Sequence, residues 1–133
     1  MLRMYTLCLA GIIGLVLGAT GCGSGRGGGQ YFDAAWSLEW ASGGSVSCSG
    51  AGVTEVDLDV QDVYTGAAYH DQFACADYGD VSQILPVDDY TVALRAYDPS
   101  GALVSEWDGS GTYAIDVGLV TYLPAVVLLV SGH

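Results

Sequence analysis

The chain contains no lysine and no asparagine, and only three arginines, Arg3, Arg26 and Arg95, stand against fifteen acidic residues. The formal net charge is −12. Such a surface repels phosphate backbones, which disfavours nucleic-acid binding, and it adsorbs poorly to anionic lipid. Histidine is almost missing as well: His70 and His133 are the only two. Nothing resembles a G-x-S-x-G elbow, a cysteine–histidine pair or a metal-ligand cluster, so no catalytic residue and no metal ligand set is assigned, and no cofactor is implied. Charged residues amount to 14%, too few for a disordered polyelectrolyte, and 133 residues suffice for one domain with a core of its own. The excess of Asp, Gly, Ala and Val is consistent with a GC-rich genome.

One long apolar run is present. After Arg3, the thirteen residues "YTLCLAGIIGLVL" from Tyr5 to Leu17 carry no charge. Length and order match the basic and apolar regions of a secretory signal peptide. A spanning helix needs roughly 20 apolar residues, and the continuation to Gly25 is Gly, Thr and Ser, so cleavage is the expected fate. The run ends in "ATGC", Ala19 to Cys22, followed by "GSGRGGG". An ordinary signal peptide could be cut near Ala19 or Gly21 and leave a free secreted protein.

"ATGC" resembles the lipobox of bacterial lipoproteins, with Thr20, Gly21 and Cys22 matching and Ala19 standing where Leu is usual. The resemblance implies that Cys22 receives diacylglycerol, becomes the mature N-terminus and anchors the protein to the membrane. Multiple acyl chains on Cys22 would give stable attachment without a basic patch. Removing residues 1–21 takes Arg3 away and moves the side-chain balance from −12 to −13. The resemblance also implies the cell envelope as location, with Gly23 compatible with outer-membrane sorting if the organism is Gram-negative. Residues 23–29 read as a flexible tether.

Four cysteines are present: Cys8, Cys22, Cys48 and Cys75. Cys8 would leave with the signal peptide and Cys22 would be acylated. An exported chain enters an oxidising compartment, and the remaining two are expected to form a Cys48–Cys75 disulfide. The other readings are two free buried thiols or a metal pair, although two cysteines do not make a zinc site by themselves.

From Ala34 onward the pattern alternates. "TEVDLDV" puts Val56, Leu58 and Val60 on one face and Glu55, Asp57 and Asp59 on the other, a half-buried strand. "DYTVALRAYD" repeats it. Further strands are predicted at 35–40, 68–75, 81–85, 102–107, 112–117 and 120–130, the last buried on both sides with Pro124 at an edge or bulge. The turn signals "YTG", "DYGD", "LPVDD", "DPSG" and "DGSG" separate them. This spacing predicts an all-β fold, a single antiparallel β-sandwich of about seven or eight strands. "ILPVDDYTVALRAYDPSGALVS" resembles the L-P-x-G-x-Y-x-V strand entry of transthyretin-like and Cna-B-like sandwiches, an Ig-like architecture. Leu85, Pro86, Tyr90 and Val92 match, and Asp88 stands where Gly is usual, a substitution that a left-handed turn would tolerate. The expected organisation is a signal peptide over 1–21, the lipidated cysteine and glycine-rich linker over 22–33, and the sandwich over 34–133.

The sandwich could serve a structural or protein-interaction role, with an envelope or extracellular protein as partner, or bind carbohydrate, peptide or Ca²⁺. For Ca²⁺, Asp57, Asp59 and Asp62, or Asp77 and Asp80, offer oxygens, although a solvated strand face and a turn explain them equally. For carbohydrate, Trp36 and Trp40 share a strand face, although strand and core preferences explain them too. If "YTG" turns a hairpin, Cys75 falls near Glu55 while Cys48 lies seven residues beyond it. The disulfide then requires "SGAG" to fold back, or the hairpin to turn nearer Gln61.

Overall fold

A computed structural model describes residues 30–132. The segment expected to be a signal peptide, Cys22 and most of the expected linker fall outside these residues, as does His133. Strand β1, Tyr31–Trp40, begins inside the expected linker. It buries Phe32, Ala34, Trp36 and Leu38 in strict alternation, so the domain starts at the first residue whose side chain can be paired and packed.

β1 is the spine of the first sheet. Its first half pairs with β5, Gly79–Val81, antiparallel, and with β9, Val120–Tyr122, parallel. Its second half pairs with β2, Ser45–Val46, antiparallel, and with β10, Val126–Val130, parallel. The second sheet runs in the order β4 (Ala68–Ala74), β3 (Glu55–Asp62), β6 (Asp88–Tyr97), β7 (Leu103–Asp108), with β8 (Tyr113–Ile115) also paired to β6. The all-β sandwich is therefore as expected, but its first sheet is mixed rather than antiparallel.

Two differences in strand count have local causes. The segment 120–130 is two strands: Leu123 N–H still donates to Asp33 O at 3.0 Å, and Pro124 has no N–H to continue the ladder. β10 is buried on one face only, with Val127 and Leu129 outward. The segment 81–85 is not a strand beyond Val81. It follows β1 through single bonds, Ser82 N to Phe32 O at 2.8 Å and Leu85 N to Gln30 O at 3.0 Å. The buried Ser82 hydroxyl accepts the Phe32 N–H, which keeps that stretch satisfied without a ladder.

The core lies between Phe32, Trp36, Leu38 and Leu128 of one sheet and Val56, Leu58, Tyr90 and Leu94 of the other. Tyr90 is fully buried, and its hydroxyl donates to Pro86 O at 2.6 Å. Burial first, then the neighbouring Tyr69, pushes its phenol up to about 12, so it stays a donor. This bond pins the "LP" turn to the start of β6. Asp88 already belongs to β6, opposite Ile115, and has no positive φ; the turn needs no left-handed residue there.

The Cys48–Cys75 disulfide is present, with Cα atoms 6.0 Å apart. "YTG" does turn the hairpin, placing Glu55 opposite Ala74. A one-turn helix α1, Cys48–Ala51, makes the fold-back. Ser47 caps it by accepting from Gly50 N at 2.9 Å, and Gly52, at φ 73°, reverses the chain in the left-handed region that glycine occupies without strain.

Trp36 is core rather than platform. Its ring stacks on Phe73, and its indole N–H donates to Cys75 O at 3.0 Å. Trp36→Phe should keep the stack but remove one of the two hydrogen bonds to that carbonyl, leaving the Tyr78 N–H at 3.0 Å, and lower stability by about 1 kcal/mol in urea denaturation.

Candidate functional site: a charge cluster on the outer sheet face

The outward residues of β3 are Glu55, Asp57, Asp59 and Gln61, as the alternation requires. Register sets what they meet. On the β4 side Asp57 faces Gln72 and Asp59 faces His70; on the β6 side Asp57 faces Arg95 and Asp59 faces Ala93; Arg95 in turn faces Glu106 of β7. The small side chain of Ala93 leaves room for Arg95 to reach along the sheet.

His70 lies across two carboxylates. Its Nε2 is 3.2 Å from Asp57 Oδ2, and its Nδ1 is hydrogen-bonded to Asp59 Oδ1. Arg95 donates from Nη1 to Asp59 Oδ2 and from Nε to Glu106 Oε2, both at 2.7 Å, with Asp108 3.9 Å from Nη2. Gln72 donates to Glu55 Oε2 at 3.2 Å. The result is a connected band across four strands.

Asp57 is the anomaly. Although it is on the outer face, it is only 4% exposed, and its Oδ1 is buried without a hydrogen-bond partner. Burial, then the hydrogen bond and charge of Glu55, push its carboxyl up to about 7, against the pull of His70. The hydrogen bond to Asp59 raises His70 above its ordinary value despite desolvation. At neutral pH the band therefore holds more protons than its residues would in water.

A shallow cleft of about 460 Å³ lies beside this band, lined by Asp59, Gln61, His70, Thr91, Ala93 and Arg95 among others. A smaller one of about 270 Å³ lies on the other side, between Glu55, Asp57 and Tyr97–Pro99. The chemistry on offer is hydrogen bonding and proton storage. Both ring nitrogens of His70 are committed to carboxylates, and Arg95 is committed on two sides.

The sequence-predicted Ca²⁺ sets are dispersed. Asp57 and Asp59 engage His70. Asp62 is the last residue of β3, and its Oδ1 accepts from Tyr64 N at 2.8 Å and Thr65 N at 3.0 Å of the turn that follows. Asp77 sits in a 3₁₀ turn after Cys75, and Asp80 in β5 accepts from Val81 N at 2.8 Å. Among the described residues no group of three or more His, Cys, Asp or Glu side chains is arranged to hold a metal ion. Trp40, half-buried, packs against the core and Trp36 is buried within it, so the two do not form an exposed platform.

The His70–Asp59 pair could have been found in the sequence, because a hairpin turning at "YTG" sets 59 opposite 70. Arg95 could not: its place depends on the pairing of β3 with β6 across more than thirty residues.

Fold and cluster together define an all-β sandwich domain with a charge-paired outer face. No family model matches the chain, and no curated protein matches it. Among solved structures it is similar to a leucine-rich repeat protein from Bacteroides thetaiotaomicron VPI-5482, at 14% identity and a TM-score of 0.47. The alignment covers 88% of this chain but spans only 16% of that one.

Proposed function

We propose that this chain is a lipid-anchored protein of a bacterial cell envelope, whose β-sandwich is a non-catalytic module for structural or protein-interaction duty. The observation that carries the reading is the order of the first 29 residues: one basic residue, thirteen uncharged residues, "ATGC", then "GSGRGGG". The disulfide adds support, because Cys48 and Cys75 satisfy each other and leave Cys22 without a partner between them. In an oxidising compartment an exposed lone thiol is a liability, and acylation removes it. A non-catalytic role is supported by His70, whose two nitrogens are both held by carboxylates rather than free to take a substrate proton.

The intact mass of the membrane-extracted protein tests this. It should begin at Cys22 and carry the added mass of acyl chains. Unmodified residues preceding Cys22 would refute the anchor.

A further inference from the structure

Exposed apolar side chains are not spread evenly over the sandwich. Of the eleven large ones exposed among the described residues, six lie in three loops: Val63 and Tyr64, Ile84 and Val87, and Val117 and Leu119. Val117 is 77% exposed and Tyr64 74%. Backbone bonds tie these loops into one end of the molecule. Gln30 N donates to Leu119 O at 2.7 Å, Leu85 N donates to Gln30 O at 3.0 Å, and Val63 N donates to Asp89 O at 3.0 Å. Gln30 is also the point at which the chain from Cys22 enters the domain.

We infer that this end rests on the lipid bilayer, with the apolar loop tips in the headgroup region. The inference builds on the lipid anchor proposed above. Eight Cα steps separate Cys22 from Gln30. They span less than about 30 Å when fully extended, and about 16 Å on average for a glycine-rich coil. The end bearing Gln30 is therefore held near the bilayer and meets it at high effective concentration, so a weak apolar contact suffices. Exposed apolar clusters of this kind mark contact surfaces, and tyrosine suits the bilayer interface, with an apolar ring and a polar tip. Asp116 stands in one of these loops, and Asp88 and Asp89 open β6 beside them. They favour zwitterionic over anionic headgroups, in keeping with the chain's net charge.

The test places a tryptophan at each end of the full-length acylated protein: Val117→Trp at the Gln30 end, and Leu103→Trp at the opposite end, where Leu103 faces Tyr97. Leu119→Trp serves as a second probe of the first end. Each protein is reconstituted in phosphatidylcholine vesicles with or without brominated acyl chains. The three native tryptophans give the same background throughout. The added emission of Val117→Trp and Leu119→Trp should be largely lost on brominated lipid, and that of Leu103→Trp retained. If the protein floats with the vesicles but both ends respond alike, the contact is refuted and the anchor stands. If the protein neither floats nor carries acyl mass, the anchor falls and the contact with it. If in detergent the Val117→Trp emission shifts with protein concentration, this end meets a second copy of the chain rather than lipid, and the contact is again refuted.

Discussion

Replacing both Cys48 and Cys75 with alanine is expected to destabilise the domain by about 3–4 kcal/mol. The bond closes a loop across a sequence separation of 27, and opening it restores the unfolded chain's freedom over that whole stretch. Alanine leaves two small voids as well, because both cysteines are buried, Cys75 completely. The effect should concentrate where the bond holds the structure against its own tendencies. α1 is a single turn, too short to persist alone, and is kept in place by its caps and by the disulfide to the end of β4. Opening the bond should therefore raise amide exchange first at residues 47–53 and then across the β3–β4 hairpin. Urea denaturation of the oxidised and the double-alanine proteins, with exchange read by mass spectrometry, measures both. A midpoint unchanged by the substitution would mean that the denatured chain is already confined there by other contacts.

Local rules carried much of this far. The alternation of Val56, Leu58 and Val60 against Glu55, Asp57 and Asp59 places β3 and both its faces, because a strand's period is two. The turn at "YTG" then fixes the β4 register, and the glycines of "SGAG" point to the fold-back that α1 and Gly52 supply. What local rules miss is long-range. β1 gathers β2, β5, β9 and β10 along one strand, and nothing in "AWSLEW" announces four partners or two parallel ladders. β2 and β5 have only two and three residues, below the length at which alternation can be read. The burial of Asp57 was also illegible. By parity it should be as wet as Asp59; the packing of Glu55, His70, Arg95 and Tyr97 around it closes it off, and those neighbours come from three different strands.

That burial has the other large consequence: stability should fall as pH rises from about 4 to about 7. Unfolded, Asp57 titrates near its ordinary 3.8; folded, it is pushed up to about 7. Between these values the native state holds a proton that the unfolded chain has released, so acidification favours folding there. Above the folded value the penalty is complete, on the order of 2–4 kcal/mol. His70 acts in the same direction. Its value is raised in the fold, chiefly by Asp59, so the stability of its charged form is present below its unfolded value and disappears as pH climbs through the folded one. The opposite trend sets in at lower pH. Asp98 is held below its ordinary range by the Ser100 hydroxyl and then the Ala102 N–H, and Asp62 is held low by Asp88, Thr65 and Tyr64 in spite of desolvation. The stability those two groups add is present above about 3.8 and is lost as pH falls through their folded values. The curve should therefore peak near about pH 4, where the two trends meet. Asp57→Asn separates the causes, because an amide keeps the shape, can still accept from His70 Nε2 and has no charge to bury. The variant should be more stable than the parent at pH 8 and close to it at about pH 4, with a flatter profile between. Urea midpoints at the two pH values decide it: parallel curves for Asp57→Asn and the parent would mean that the buried carboxyl is not what the pH dependence reports.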